Sequence, residues 1–136
     1  MEITIRVRRY VCRRCTAVIV VVPLGVIAGR LFCAAAIGLA VALFGVGKLP
    51  MGEVRRRVSP WQHVGTSAAG SWLSLRRWVH AIRERRLFAR VRSSPSGFTA
   101  REIAARAAQT LAALAPPSLA AAAIEHRVCA GAVRAH

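Results

Sequence analysis

Between Thr16 and Gly47 the chain carries one charge, Arg30, in thirty-two residues. So apolar a stretch must either be buried among other elements or cross a hydrocarbon core about 30 Å thick. Pro23 divides it. Ahead of the proline, Ala17 to Val22 is a β-branched run that reads as a strand. Beyond Arg30, Leu31 to Val46 is unbroken apolar sequence and reads as a helix. Leu31 to Gly47 counts 17 apolar or Gly residues, the lower limit for a membrane span. Extending the span back to Ala17 places Arg30 near its middle, at a cost of about 2.5 to 3.5 kcal/mol. A small basic membrane protein, anchored in an inner membrane by residues 16–47, is therefore one reading. Two features weaken it: basic segments lie on both sides of the stretch, and Pro23 among valines suits a strand better than mid-helix.

The first segment, Glu2 to Cys15, alternates with period two. Ile3, Ile5 and Val7 fall on one side and Thr4, Arg6 and Arg8 on the other, the pattern of a half-buried strand. Two strands with Cys12 and Cys15 between them predict a hairpin. Its tip, Tyr10-Val11-Cys12-Arg13-Arg14-Cys15, carries a Cys-x-x-Cys pair whose thiolates converge on one tetrahedral metal, and flanking Arg favours the thiolate form. One pair is half of a zinc shell, so two readings stand: zinc held with an incomplete ligand set, or two Cys in a turn that bind nothing. Cys33 and Cys129 stand alone and read as buried or idle thiols; the spacing of the four cysteines does not suggest a secreted disulfide framework.

The charge balance points to the partner. Lys+Arg number 21 against 5 Asp+Glu, a net +16 with pI near 11.9, which implies a polyanion: nucleic acid or an anionic membrane face. Twenty of the 21 basic residues are Arg and 26 residues are Ala, a bias that GC-rich coding produces, so part of the charge is compositional. The chain has no Asp or Asn. Two-metal phosphoryl-transfer centres gather several carboxylates, and five scattered Glu do not supply one. Nor is there a Gly-rich phosphate loop or a nucleophile with an evident base partner. The expectation is a binder and not an enzyme.

The basic residues concentrate in two helical segments. Pro50 introduces Met51 to Val58, with Arg55, Arg56 and Arg57 in succession. Farther on, Leu75, Trp78, Val79 and Ile82 recur at i, i+3, i+4 and i+7, one apolar face. The opposite face carries Arg76, Arg77, His80 and Arg83, with Ser74 placed to cap the helix. Helix N-termini bearing Arg suit phosphate contact and guanine-edge reading. Between the two helices, Ser59 to Gly70 is turn-rich, longer than a helix-turn-helix connection, and is expected to pack with Trp61, His63 and Trp72 as a small lobe. Ser-Ser-Pro-Ser-Gly within Val91 to Gly97 is a linker. Thr99 and Glu102 then form a capping box, and Ile103, Ala107, Leu111 and Leu114 make one apolar face before Pro116 and Pro117 stop the helix. Ser118 is placed to cap a last Ala-rich helix running to about Val128.

The order strand, Cys-x-x-Cys, apolar strand ending in Pro, Ala-rich helix, then a helix ending Leu-x-Leu-Arg-Arg-Trp resembles the bacterial transposase-associated zinc-ribbon plus helix-turn-helix proteins of insertion sequences and their domesticated relatives. The resemblance covers about residues 3 to 88. It rests on Arg8-Arg9-Tyr10-Val11-Cys12-Arg13-Arg14-Cys15, on Val20, Val22 and Pro23, and on Leu73-Ser74-Leu75-Arg76-Arg77-Trp78. In that group a first Cys pair precedes the strand, so this chain looks like a form truncated at its N-terminus, and Thr16 stands where a Gly commonly follows the second Cys. The resemblance implies a recognition-helix role for Arg76, Arg77, His80 and Arg83, with Leu75 and Trp78 packing behind them.

The fold expected is mainly α: a short N-terminal β-hairpin, a half zinc ribbon, over 1–23; a helix-turn-helix-like bundle over 24–90; a linker at 91–98; and an Ala-rich helical tail over 99–136. The function expected is non-catalytic binding of duplex DNA by Arg55, Arg56, Arg57, Arg76, Arg77, His80 and Arg83. Cys12 and Cys15 are the metal candidates, and homo-oligomers through the C-terminal helices are expected. The site of action is then the cytoplasm, at the nucleoid, with the inner membrane as the alternative.

Overall fold

A computed structural model describes residues 4–21, 23–27, 31–59 and 71–136. Ile3, Val22, Arg30, Trp61 and His63 lie outside the described residues, as does nearly all of the 59–70 segment. The chain is mainly helical with one short antiparallel hairpin. Its elements are β1 (Arg8–Val11), β2 (Val18–Val21), α1 (Ala34–Gly45), α2 (Met51–Val58), α3 (Leu73–Arg83), α4 (Ala100–Ala113) and α5 (Ile124–Ala135), with a 3-10 turn at Pro117–Leu119.

The helix that the apolar stretch after Arg30 forms, α1, is buried within the protein. α1 is apolar all round, which requires neighbours all round. It has them: α4 and α5 pack along it and against each other, while α2 and α3 also reach it. Ala34, Ile37, Ala40 and Val41 have no exposed surface. No helix among the described residues is long and apolar enough to cross a membrane. The twelve residues of α1 rise about 18 Å, well short of a bilayer core.

Small residues set how closely these helices approach. A Cβ added at Gly131 of α5 would overlap the Leu111 carbonyl of α4. One at Gly45 of α1 would overlap the backbone of Ala104 and Ala105, and one at Gly38 would lie 2.8 Å from the Ala132 Cβ. Arg101 fastens the same junction. Its guanidinium donates to the Phe44 carbonyl at 2.8 Å, one of the carbonyls that the end of α1 leaves open, and lies 4.5 Å from the centre of the Phe44 ring.

The Ala-rich C-terminal helices therefore supply nine of the 27 buried residues of the hydrophobic core among the described residues. Ile103, Ala107, Leu111, Val128 and Ala132 belong to one hydrophobic cluster with Ile37, Val41, Leu75 and Trp78, and the linker is pinned to it by Val91 and Phe98. These apolar faces of α4 and α5 are covered by α1 and by each other.

Several local expectations differ. β1 is shorter than the alternating segment, and every residue of both strands is exposed, so the hairpin is not half-buried. Ser74 does not cap α3, which starts at Leu73 after an extended Trp72. Trp72 joins the main core, edge-on to Trp78 at 5.0 Å and to Phe32 at 5.7 Å. Ser118 falls inside the 3-10 turn, and α5 begins only at Ile124 and runs past Val128 to Ala135. The capping box of α4 is present: the Thr99 backbone N–H donates to Glu102 at 2.7 Å, and the Glu102 N–H donates to Thr99 Oγ1 at 3.3 Å.

Candidate nucleic-acid interface

α3 presents its basic face because its apolar face is anchored. Leu75, Trp78, Val79, Ala81 and Ile82 are buried, held against α4 and α1, and this leaves Arg76, Arg77, His80 and Arg83 exposed. Arg76, His80 and Arg83 follow at i, i+4 and i+7, so they share one line along the helix. They line a cleft of about 270 Å³ whose other walls are Met51 at the start of α2 and Ala100 and Ile103 at the start of α4. The first turn of α4 adds the positive end of a fourteen-residue helix to the arginines around it.

The end of α3 is held by backbone geometry. Arg85 takes a left-handed φ of 58°, the Arg86 N–H reaches the Ala81 carbonyl at 2.8 Å and the Arg85 N–H reaches Ile82 at 3.0 Å. This is a Schellman closure, built on an arginine where Gly is usual, and it turns the chain so that Leu87 and Phe88 enter the core.

The remaining basic candidates are less free. Arg56 and Arg57 are exposed on α2, but both bond Glu53, Arg57 Nε at 2.9 Å. Their hydrogen bonds hold the Glu53 carboxyl below its ordinary pKa. Arg55 is half-buried. On α3, His80 Nε2 lies 3.1 Å from Glu84, which also pairs with Arg86, and the Arg86 hydrogen bond lowers the Glu84 pKa. Arg83 donates to the Ser96 carbonyl at 2.9 Å. The side chains of Arg76 and Arg77 make no hydrogen bond or ion pair with the described residues, which makes them the most available to a ligand among these candidate cations. Sequence reasoning missed the neutralising roles of Glu53 and Glu84, although Glu-x-x-Arg-Arg spacing at 53–57 is a readable i, i+3, i+4 signal.

The second candidate site, Cys12 and Cys15, lies in the turn between β1 and β2, paired in register Arg8 with Val21 through Val11 with Val18. The Cys12 N–H donates to the Ala17 carbonyl and the Thr16 N–H to the Cys12 carbonyl, both at 2.9 Å. Thr16 occupies a left-handed φ of 58°, a conformation that favours Gly and costs a β-branched residue. Hydrogen bonding from the Cys15 and Arg14 backbone, and then from the Cys15 side chain, lowers the Cys12 pKa. Both thiols are exposed.

The zinc implied by the resemblance needs four ligands. Among the described residues no group of three or more ligating side chains exists, so those residues do not complete a zinc shell around Cys12 and Cys15. Cys129 is half-buried, donates to the Ala35 carbonyl at 3.6 Å and has its pKa raised, first by burial and then by nearby Cys33. These two are not part of the knuckle.

No protein-family model, curated protein or solved structure matches this chain.

Proposed function

We propose that this chain is a non-catalytic duplex-DNA-binding protein, akin to the accessory proteins of mobile elements and acting at the nucleoid in the cytoplasm. The observation that carries the reading is the line Arg76, His80, Arg83 beside an available Arg77, on a helix whose opposite face is locked into the core. A rigid helix with one cationic face lays fixed charges along a phosphate backbone without having to order itself on binding. Arg76 and Arg77 make the principal contacts, Arg83 and His80 extend them, and the α2 arginines Arg55, Arg56 and Arg57 steer from the flank, attenuated by Glu53.

The mechanism requires counterion release. Affinity for duplex DNA measured by fluorescence anisotropy falls linearly on a log–log plot as salt rises, with a slope of about −0.9 per neutralised phosphate. Arg76→Ala/Arg77→Ala weakens binding and reduces that slope by up to about 2, while the circular dichroism of the helices is unchanged because both side chains are exposed. Affinity that is flat with salt, or equal in the double variant, overturns the proposal.

A further inference from the structure

We propose that the exposed hairpin is a docking element for the surface of an anionic lipid bilayer, seated at the boundary between headgroups and acyl chains. The inference goes beyond the DNA-binding reading and does not rest on it.

The ribbon gathers the apolar surface that the helical body hides. Residues 4–21 are all exposed, and Tyr10, Val11, Val18, Ile19, Val20 and Val21 are each 46 to 63% exposed. From α1 onward, Val46 and Leu73 are the only large apolar side chains in the exposed class among the described residues. A contiguous apolar patch rimmed by polar groups marks an interaction site. Here the rim is cationic: Arg6, Arg8, Arg9, Arg13 and Arg14 share residues 4–21 with no Asp or Glu, and none of them forms an ion pair with a described residue.

The strand register fixes how the two kinds of side chain are arranged. Residues paired across an antiparallel ribbon point to the same side, and successive residues to opposite sides. One face therefore carries Arg8 with Val21 and Tyr10 with Ile19, and the other carries Arg9 with Val20 and Val11 with Val18. Each face is an apolar patch with an arginine at its open end, and Arg13 and Arg14 stand in the turn at the other. A partner has to offer apolar cover and anionic groups within one ribbon length, about 13 Å for four residues.

Charge complementarity selects the bilayer surface. Acyl chains cover the branched side chains, while the arginine stems lie along them and their guanidinium groups reach lipid phosphates. Tyr10 suits the same boundary, with an apolar ring and a polar hydroxyl. The ribbon is far too short to cross a hydrocarbon core of about 30 Å, and the open edges of two strands need the water and headgroups that the core lacks. Duplex DNA would satisfy the arginines, but its interfaces are polar and phosphate-rich and leave Val18 to Val21 uncovered. A second copy would cover them only by setting five arginines against five.

The test floats the full chain, free of DNA and kept in reductant, with vesicles of phosphatidylcholine alone or mixed with phosphatidylglycerol. Expected is co-flotation with the mixed vesicles and binding weaker by about tenfold or more with phosphatidylcholine alone. Val18→Ser/Ile19→Ser keeps every charge but takes apolar surface from both faces, and weakens binding to the mixed vesicles by about tenfold. Arg13→Gln/Arg14→Gln keeps the apolar patches and reduces the preference for anionic lipid. All four side chains are exposed, so the circular dichroism of the helices is unchanged in both variants. Arg76→Ala/Arg77→Ala leaves flotation intact. The proposal is overturned by no binding to the mixed vesicles, by equal binding to both kinds, or by full binding of Val18→Ser/Ile19→Ser. It is also overturned if Arg76→Ala/Arg77→Ala abolishes flotation, which would place the lipid contact on α3, or if the lipid-free chain is a dimer that Val18→Ser/Ile19→Ser dissociates, which would make a second copy the occupant. DNA affinity enters none of these readings, so failure here and failure of the DNA-binding proposal are separable.

Discussion

Two uncharged apolar segments of this chain have opposite surroundings. β2, Val-Ile-Val-Val over residues 18–21, is 46 to 62% exposed at every position. α1, thirteen residues farther on, is buried on almost its whole circumference. β-branched side chains on a two-stranded ribbon need a layer to pack on, and the helical body does not provide it. The Ala and Gly of α1, α4 and α5 instead let three helix backbones approach until little but main chain separates them. Apolarity forces burial only where the geometry of small residues permits close approach.

That contrast is broken or upheld most sharply by adding atoms to each region. Gly131→Val places a branched side chain where the Leu111 carbonyl sits, so α5 must leave α4. The expected loss is about 3 kcal/mol or more, read as a drop in the urea midpoint. Val20→Asp on the exposed hairpin should shift the midpoint by no more than about 0.5 kcal/mol. Similar losses from the two changes would mean that the hairpin is part of the cooperative unit.

The same contrast explains what the residues disclosed beforehand. Helices carrying a one-sided pattern were legible: Leu75, Trp78, Val79 and Ile82 are buried as their spacing requires, and Thr99 with Glu102 forms its cap. The partner of each face was not. Alanine gives a weak periodic signal because it is small enough for either side of a helix, so 99–136 reads as a tail in the sequence when it supplies a third of the buried core residues. Period-two alternation at Ile5 and Val7 signalled a buried side, but alternation reports amphipathicity, not the presence of a layer to cover it. At the candidate interface the arginines could be read from order alone. Which of them are already engaged, Arg56 and Arg57 by Glu53 and Arg83 by Ser96, depended on the fold.

A second test sharpens the helical side of the comparison by removing polar rather than steric closure. Arg101→Met keeps an unbranched stem over Phe44 but deletes the donor to the Phe44 carbonyl and the charge over its ring. Losing a charged hydrogen bond at a part-buried helix end is expected to cost about 2 kcal/mol. DNA affinity should hardly change, since Arg101 faces α1. A large affinity loss with little change in stability would instead place Arg101 in the binding surface.

The smallest effect concerns acid. Glu102 accepts hydrogen bonds from the Thr99 backbone and hydroxyl, which lower its pKa in the folded protein. A depressed carboxyl contributes stability that is fully present above the unfolded value and is lost as pH falls through the folded one. The helical body should therefore weaken as pH drops through the carboxylate range. Glu53 and Glu84, depressed by their arginines, share in that loss, but they sit on exposed ion pairs that salt screens. Glu102→Gln should remove one share of the acid slope in high salt, while Thr99→Ala lowers stability by about 1 kcal/mol and leaves part of the slope, because the backbone N–H still reaches Glu102. An acid slope in high salt that is identical in Glu102→Gln would assign the loss to Glu53 and Glu84 on α2 and α3, and not to the cap that docks α4 on the core.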